Sequence, residues 1–188
     1  LIDFVAVLAR LLTRHGNRIG AILYSDKVEG VMPAGSGRLQ VLRLVNDLLN
    51  RPVLKKAPPT DLAALLEAGL RTIQRRSLIF VVSDFISLPG WDRPLAMLAR
   101  RHEVLAIRPF DRRELELPDL GPLVLEDAET GEQIYVDTRN KRFRKRFLEA
   151  ARRRDFELKS IFARAGVETM SLSTEDDLAR EIVRFATM

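Results

Sequence analysis

The residues of this chain best suited to chemistry are oxygen-bearing side chains at the end of one apolar run and the start of another. Ser83 and Asp84 directly follow the run Leu-Ile-Phe-Val-Val, and Thr60 and Asp61 directly precede an apolar pattern with helical spacing. Hydroxyl and carboxylate oxygens are the ligands that Mg²⁺ and Mn²⁺ prefer. Open α/β sheets bind ligands beyond the carboxyl ends of their strands, where Ser83 and Asp84 fall. We therefore predict a divalent-metal site with Thr60 and Asp84 as ligands and Ser83 and Asp61 as further candidates.

Each of these residues also has a purely structural interpretation. The Thr60 hydroxyl can cap the following helix by accepting a hydrogen bond from a backbone N–H near Ala63. Asp61 can act as a first-turn carboxylate that the helix dipole favours, and Asp84 can begin a turn. The local sequence leaves these alternatives open.

The elements that would position these side chains alternate between strands and helices. The sequence predicts strands at 18–24, 28–32, 78–82, 103–107 and 167–172. It predicts helices at 1–12, 38–49, 61–70, 91–101, 140–165 and 174–186. Because the run at 78–82 is apolar at every position, we expect a central strand covered on both faces. The fold class predicted is α/β, a single domain over 1–188 with a doubly wound, mostly parallel sheet. An antiparallel edge strand lies at 28–32, and a β-hairpin with a turn at 128–131 is inserted at 122–137.

Composition narrows the class of protein. The chain has 188 residues and no cysteine, which excludes disulfides, thiolate metal sites and a cysteine nucleophile. No apolar run approaches the roughly 20 residues that span a bilayer, and no signal-peptide pattern is present. The sequence contains neither a phosphate-binding Gly-rich loop nor a nucleophile elbow. We expect a cytoplasmic binding protein that is not an enzyme and does not engage a membrane through this segment.

A second candidate surface is the basic helix predicted at 139–165. The formal net charge of +5 favours acidic partners, and this helix carries the densest run of cations. The candidate partner-binding residues are Arg142, Lys145, Arg146 and Arg153. Such a run is more often a solvated helix face than a binding surface. If it binds, an acidic protein is the expected partner, ahead of nucleic acid or an anionic membrane. The alternative to the metal site is therefore a metal-free scaffold acting through this helix.

Two stretches resemble von Willebrand factor A-type domains: Pro59-Thr60-Asp61 with the Leu-Ala-Ala-Leu-Leu that follows, and the run ending at Asp84. The hairpin, then Val136-Asp137-Thr138 and an arginine-rich helix, resembles the bacterial family called domain of unknown function fifty-eight. The resemblance implies that Thr60 and Asp84 belong to the second and third loops of a metal-ion-dependent adhesion site. It further implies a protein-binding module whose metal accepts a carboxylate from the partner. The implied partner is a MoxR-type AAA+ ATPase or its client, with this chain as an adaptor.

The same resemblance implies a first loop, Asp-x-Ser-x-Ser, at the end of a first central strand, and this chain contains neither. The predicted strands at 18 and 77 would lack the neighbour between them, leaving unpaired backbone groups. We therefore expect the natural protein to extend upstream of Leu1. We also expect Mg²⁺ or Mn²⁺ binding by this chain alone to be weak or absent.

Overall fold

The computed structural model of the chain describes residues 2–51, 60–111, 113, 117–126 and 133–173, without the side chains of 125 and 126. The described residues form two compact units, 2–51 and 60–173. The helix predicted at 174–186 and the turn predicted at 128–131 lie outside them.

The first unit contains two helices and one antiparallel strand pair. Its elements are α1 (Ile2–Arg14), β1 (Ile19–Tyr24), β2 (Val28–Gly35) and α2 (Gly37–Leu49). β1 pairs with β2, which confirms the antiparallel assignment. β2 continues to Gly35, past its predicted end at Met32, so that Pro33 lies within it. The proline is tolerated because β2 pairs with only one described strand, β1, and because the register shifts at that end of the pair.

The second unit contains a three-stranded parallel sheet, a hairpin and three helices. Its elements are α3 (Leu62–Thr72), β3 (Leu78–Val82), α4 (Asp92–Arg101), β4 (Glu103–Phe110), β5 (Pro122–Glu126), β6 (Gln133–Asp137), α5 (Lys141–Ala165) and β7 (Glu168–Ser173). The parallel sheet has the order β3-β4-β7. β4 extends beyond its predicted end because its last residues, through Phe110, pair with β7.

The prediction that the run at 78–82 is a central strand covered on both faces is wrong for the described residues. β3 pairs only with β4 there, Val81 is its one buried residue, and Leu78 is 47% exposed. The central strand is β4, in which Val104 to Ile107 are all buried. The mixed α/β class is confirmed, but the described strands form three separate sheets instead of one.

The hydrophobic core of the second unit lies between the parallel sheet and the helices α3, α4 and α5. Leu66, Leu95 and Leu158 from these helices meet Val81 and Ala106 of the sheet. An aromatic triad lies in the same core. The ring centroid of Phe85 is 5.5 Å from that of Trp91 and 4.9 Å from that of Phe162.

The inserted hairpin is confirmed as the antiparallel pair of β5 and β6. Thr138, fully buried, closes its base, since its N–H and its hydroxyl both donate to the Gly121 carbonyl, at 2.9 and 2.8 Å. α5 then begins at an Asn140 cap and ends at Gly166, whose φ of 67° is left-handed. No helix in the described ranges combines the length and the hydrophobicity that a bilayer span requires.

Candidate functional site

Asp84 lies exposed at the carboxyl end of β3, on a loop that its own hydrogen bonds hold in place. Its Oδ1 accepts a hydrogen bond from the Ile86 N–H at 2.9 Å, and the Ser83 hydroxyl accepts one from the Phe85 N–H at 3.0 Å. The Ser83 N–H donates to the Ile107 carbonyl of β4 at 3.1 Å. One oxygen of Asp84 is therefore engaged within the loop, and the described residues provide no hydrogen-bond donor to the other.

Phe85, directly after Asp84, adopts a left-handed backbone conformation with a φ of 59°. For a residue with a side chain this conformation costs about 1–2 kcal/mol and needs support from its surroundings. The support is the aromatic triad, in which the Phe85 side chain is only 3% exposed. The buried ring thus fixes the direction in which the chain leaves Asp84.

At the start of α3 the capping residue is Asp61, so the interpretation of Thr60 as the helix cap is wrong. The Asp61 Oδ1 accepts hydrogen bonds from the N–H groups of Ala63 and Ala64, at 3.0 and 3.3 Å. The interpretation of Asp61 as a first-turn carboxylate is also wrong, since it precedes the first turn. With Oδ1 already accepting two hydrogen bonds, Asp61 is a poorer metal ligand than Asp84.

The loop after β3 is joined to the start of α3 by Ser87, which sequence reasoning missed. The Ser87 hydroxyl donates to the Thr60 carbonyl at 2.8 Å and accepts from the Leu62 N–H at 2.9 Å. The Leu88 N–H donates to the same Thr60 carbonyl at 2.9 Å. The structure therefore brings the backbone of Thr60 to the loop that carries Asp84. These bonds involve the Thr60 carbonyl, not its hydroxyl.

The described donors suit a hard divalent cation in kind but not in number. Asp84 offers a carboxylate, and Ser83 and Thr60 offer hydroxyls, all of which are oxygen ligands suited to Mg²⁺. Mg²⁺ requires near-octahedral coordination, however, and the described residues contain no cluster of three histidine, cysteine, aspartate or glutamate residues able to hold a metal. A complete site would need ligands from water or from outside the described residues.

The outer face of α5 carries the four cations predicted to bind a partner. Arg142, Lys145, Arg146 and Arg153 are all exposed. Lys145 has one distant ion pair, at 3.8 Å to Glu149, and the other three form none with the described residues.

Cations that point inward from the same region are paired instead. Arg144 Nη1 lies 2.9 Å from Asp119 Oδ2, and Arg108 Nη1 lies 3.0 Å from Asp155 Oδ1. The structure thus separates solvent-facing cations from structural ones, a distinction that the charge run in the sequence does not make.

Two solved structures from Bacteroides share the fold of the chain. An aerotolerance-related membrane protein from Bacteroides fragilis superposes with a TM-score of 0.52 at 12% identity, covering 97% of this chain and 83% of that one. The conserved hypothetical protein BatB from Bacteroides thetaiotaomicron gives a TM-score of 0.52 at 13% identity, covering 98% and 87%. At such low identity the likeness concerns the fold alone.

Similar sequences occur in mycobacterial proteins named as uncharacterised. A protein of Mycobacterium bovis is 34% identical over 182 residues, which cover 96% of this chain and 56% of the relative. A protein of Mycobacterium avium is 36% identical over 156 residues, covering 82% of this chain and 90% of the relative. The chain thus spans little more than half of the Mycobacterium bovis protein. The family model described as "Protein of unknown function DUF58" matches residues 1–157, and the chain belongs to that family.

Proposed function

We propose that this chain is a protein-binding module whose binding surface is the loop edge formed by residues 60–62 and 83–88. Asp84 and Thr60 hold a Mg²⁺ or Mn²⁺ ion there, completed by further ligands. When bound, the ion supplies a coordination position for a carboxylate of the partner. The observation that carries the proposal is the exposed Asp84 carboxylate on a loop tied by hydrogen bonds to the start of α3.

Hydrogen bonds among the described residues order this surface in the absence of a partner. The bonds from Ile86 and Phe85 fix Asp84 and Ser83 within the loop, and Ser87 fixes the loop against Thr60. A preorganised loop loses little conformational entropy on binding, so more of the contact energy appears as affinity. The local structure therefore favours a loop that is ordered before a partner binds over a loop that becomes ordered only on binding.

The partner is proposed from the family resemblance. That resemblance points to a MoxR-type AAA+ ATPase, or a client of such an ATPase, with this chain as a cytoplasmic adaptor and no catalytic residue of its own. Von Willebrand A-type modules bind partner carboxylates through their metal, which fits an exposed aspartate at a strand end.

Paramagnetic Mn²⁺ titration of the ¹⁵N-labelled chain tests the metal contact. Because the described donors are few, we expect weak binding with a Kd of about 1 mM or above. Amide signals of residues 60–62 and 83–88 should broaden first. Asp84→Asn should abolish this broadening while keeping an oxygen that accepts the Ile86 N–H. Asp92→Asn, which changes an exposed carboxylate in the first turn of α4, is the matched control. Broadening that survives Asp84→Asn would overturn the metal assignment.

Calorimetry with a purified MoxR-type ATPase tests the partner. We expect heat of binding in Mg²⁺ that Asp84→Asn removes and Asp92→Asn preserves. Since the ATPase itself uses Mg²⁺ with its nucleotide, the variants separate the two requirements better than a chelator does. Equal binding by both variants would refute a metal bridge at this edge.

The second candidate function is binding of an acidic partner by the outer face of α5. Four exposed cations favour it, of which only Lys145 forms an ion pair with a described residue: Arg142, Lys145, Arg146 and Arg153. Arg146→Glu with Arg153→Glu should then abolish ATPase binding that Asp84→Asn leaves intact. Binding of an oligodeoxythymidine with a steep salt dependence would instead indicate a nucleic-acid surface.

A further inference from the structure

An open groove of about 630 Å³ lies between α1 and α2 in the first unit. Apolar side chains form much of its lining, among them Val7 of α1 and Leu42 and Val45 of α2. Val7 is 40% exposed and Leu42 is 51% exposed, so the described residues leave both partly open to solvent.

The apolar surface extends along α2 beyond the groove. Leu39 is 81% exposed and Leu49 is 63% exposed, and helical spacing places both on the same side of α2 as Leu42. Exposed apolar side chains gathered on one side of a helix are typical of a surface that contacts another macromolecule. The patch therefore favours an occupant that is longer than the groove itself.

Three arginines give the groove a positive charge. Arg10 and Arg14 lie one turn apart on α1, and Arg38 lies in the first turn of α2. None of the three forms an ion pair with a described residue, and no described acidic side chain lines the groove. Cations beside an apolar surface attract a partner that carries acidic groups next to apolar ones.

We propose that this groove binds an amphipathic helix of a partner protein, with the apolar face of that helix on Val7, Leu42 and Val45 and its acidic residues at the three arginines. The lining residues 6–14 of α1 span about 12 Å, so the trough follows the two helices for at least two turns. A trough between two helices accepts the ridge of a third helix. A flat membrane surface fits a concave site poorly. The groove shares no residue with the candidate metal site.

Fluorescence anisotropy with two labelled peptides tests the proposal on the full chain. Each peptide has about 18 residues, enough to reach past the groove, with leucine at helical spacing and alanine between. The first carries glutamate at its polar positions and the second carries lysine. We expect the glutamate peptide to bind at least about ten-fold more tightly at low salt, and this preference to shrink at high salt.

Variants then locate the binding. Leu42→Ser should weaken the glutamate peptide by about ten-fold, and Leu42→Met should restore it. Arg10→Glu combined with Arg14→Glu should reverse the preference between the peptides. Leu120→Ser, at a 65% exposed leucine of the second unit, is the matched control and should leave the binding of both peptides unchanged.

Since all the substituted side chains are at least partly exposed, circular dichroism should show unchanged helix content. Equal binding of the two peptides, or equal binding by Leu42→Ser and Leu120→Ser, would overturn the proposal. So would binding to anionic vesicles that Leu42→Ser abolishes while peptide binding persists.

Discussion

Substitution of Phe85 tests whether the aromatic core supports the loop that carries Asp84. The Phe85 side chain is 3% exposed, contacts the rings of Trp91 and Phe162, and has a φ of 59°. Phe85→Ala and Phe85→Gly both remove the ring, but only glycine tolerates the left-handed backbone without strain. The two variants therefore separate the packing contribution from the backbone contribution.

The expected magnitudes follow from these two features. Loss of a buried phenylalanine ring lowers the free energy of unfolding by about 3–5 kcal/mol, and both variants share this loss. Alanine at position 85 still adopts the left-handed backbone conformation at a cost of about 1–2 kcal/mol. Glycine avoids this cost but lowers the free energy of unfolding by about 0.5–1 kcal/mol, because the unfolded chain gains conformational entropy. Phe85→Gly should therefore be as stable as Phe85→Ala, or more stable by up to about 1.5 kcal/mol.

Urea unfolding followed by tryptophan fluorescence measures both values. Trp91 is the one tryptophan in the sequence, and its ring lies against Phe85, so the signal reports on this core. The matched control is Phe156, which is 72% exposed within α5. There Phe156→Ala should be close to the parent protein, and Phe156→Gly should be about 1 kcal/mol less stable than Phe156→Ala. The same order of alanine over glycine at Phe85 would refute the argument from backbone strain.

Three further predictions concern stability, each measured by urea unfolding. His102 is 5% exposed, and neither ring nitrogen has a hydrogen-bond partner among the described residues. Burial, and secondarily the Arg101 cation, hold the pKa of His102 below its ordinary value of 6.5. Because the His102 imidazole binds a proton more readily in the unfolded chain, the free energy of unfolding should fall as the pH drops below 6.5. His102→Leu should lessen that fall. Equal slopes of the free energy of unfolding against pH in the two proteins would contradict the prediction. Asp155→Ala should lower the free energy of unfolding by about 2–4 kcal/mol, because it leaves Arg108 unpaired at 11% exposure. Loss of the exposed Lys159 partner should lower it by less than about 1 kcal/mol. Similar losses for the two substitutions would count against a buried pair. Gly166→Ala should cost about 1 kcal/mol through its φ of 67° alone, since an added Cβ would meet no atom within 4 Å; an unchanged midpoint would argue against a strained cap.

Elements whose signals are local in sequence were predictable. The hairpin at 122–137 and the end of α5 at Gly166 follow from turn residues and alternating side chains. The position of a strand within its sheet is different, because it depends on which neighbours pair with it. The apolar runs of β3 and β4 look alike, yet only β4 has partners on both sides among the described strands. Composition indicates that a strand is apolar and does not indicate how many strands flank it.

The candidate site shows the same limit at the level of single hydrogen bonds. The exposed carboxylate of Asp84 was predictable because it ends an apolar run, and Asp61 was recognisable as a helix-start residue. The contact of Ser87 with the Thr60 carbonyl joins residues 27 positions apart through a backbone group that every residue type carries. No pattern of side chains predicts such a bond, because its acceptor is a backbone carbonyl, which is the same in every residue type.

The burial of His102 follows the same reasoning. A histidine at a helix C-terminus suggests a capping side chain. The His15 side chain does cap its helix, since its Nδ1 lies 2.9 Å from the Leu11 carbonyl oxygen. At His102 only the backbone N–H bonds to the helix, at 2.9 Å to the Leu98 carbonyl. The ring is buried, and no described residue hydrogen-bonds to it. The two histidines have similar local sequence contexts and differ in what the tertiary structure places around them. Since a buried neutral imidazole becomes unfavourable on protonation, the fold itself, and not the helix end, gives His102 its dependence on pH.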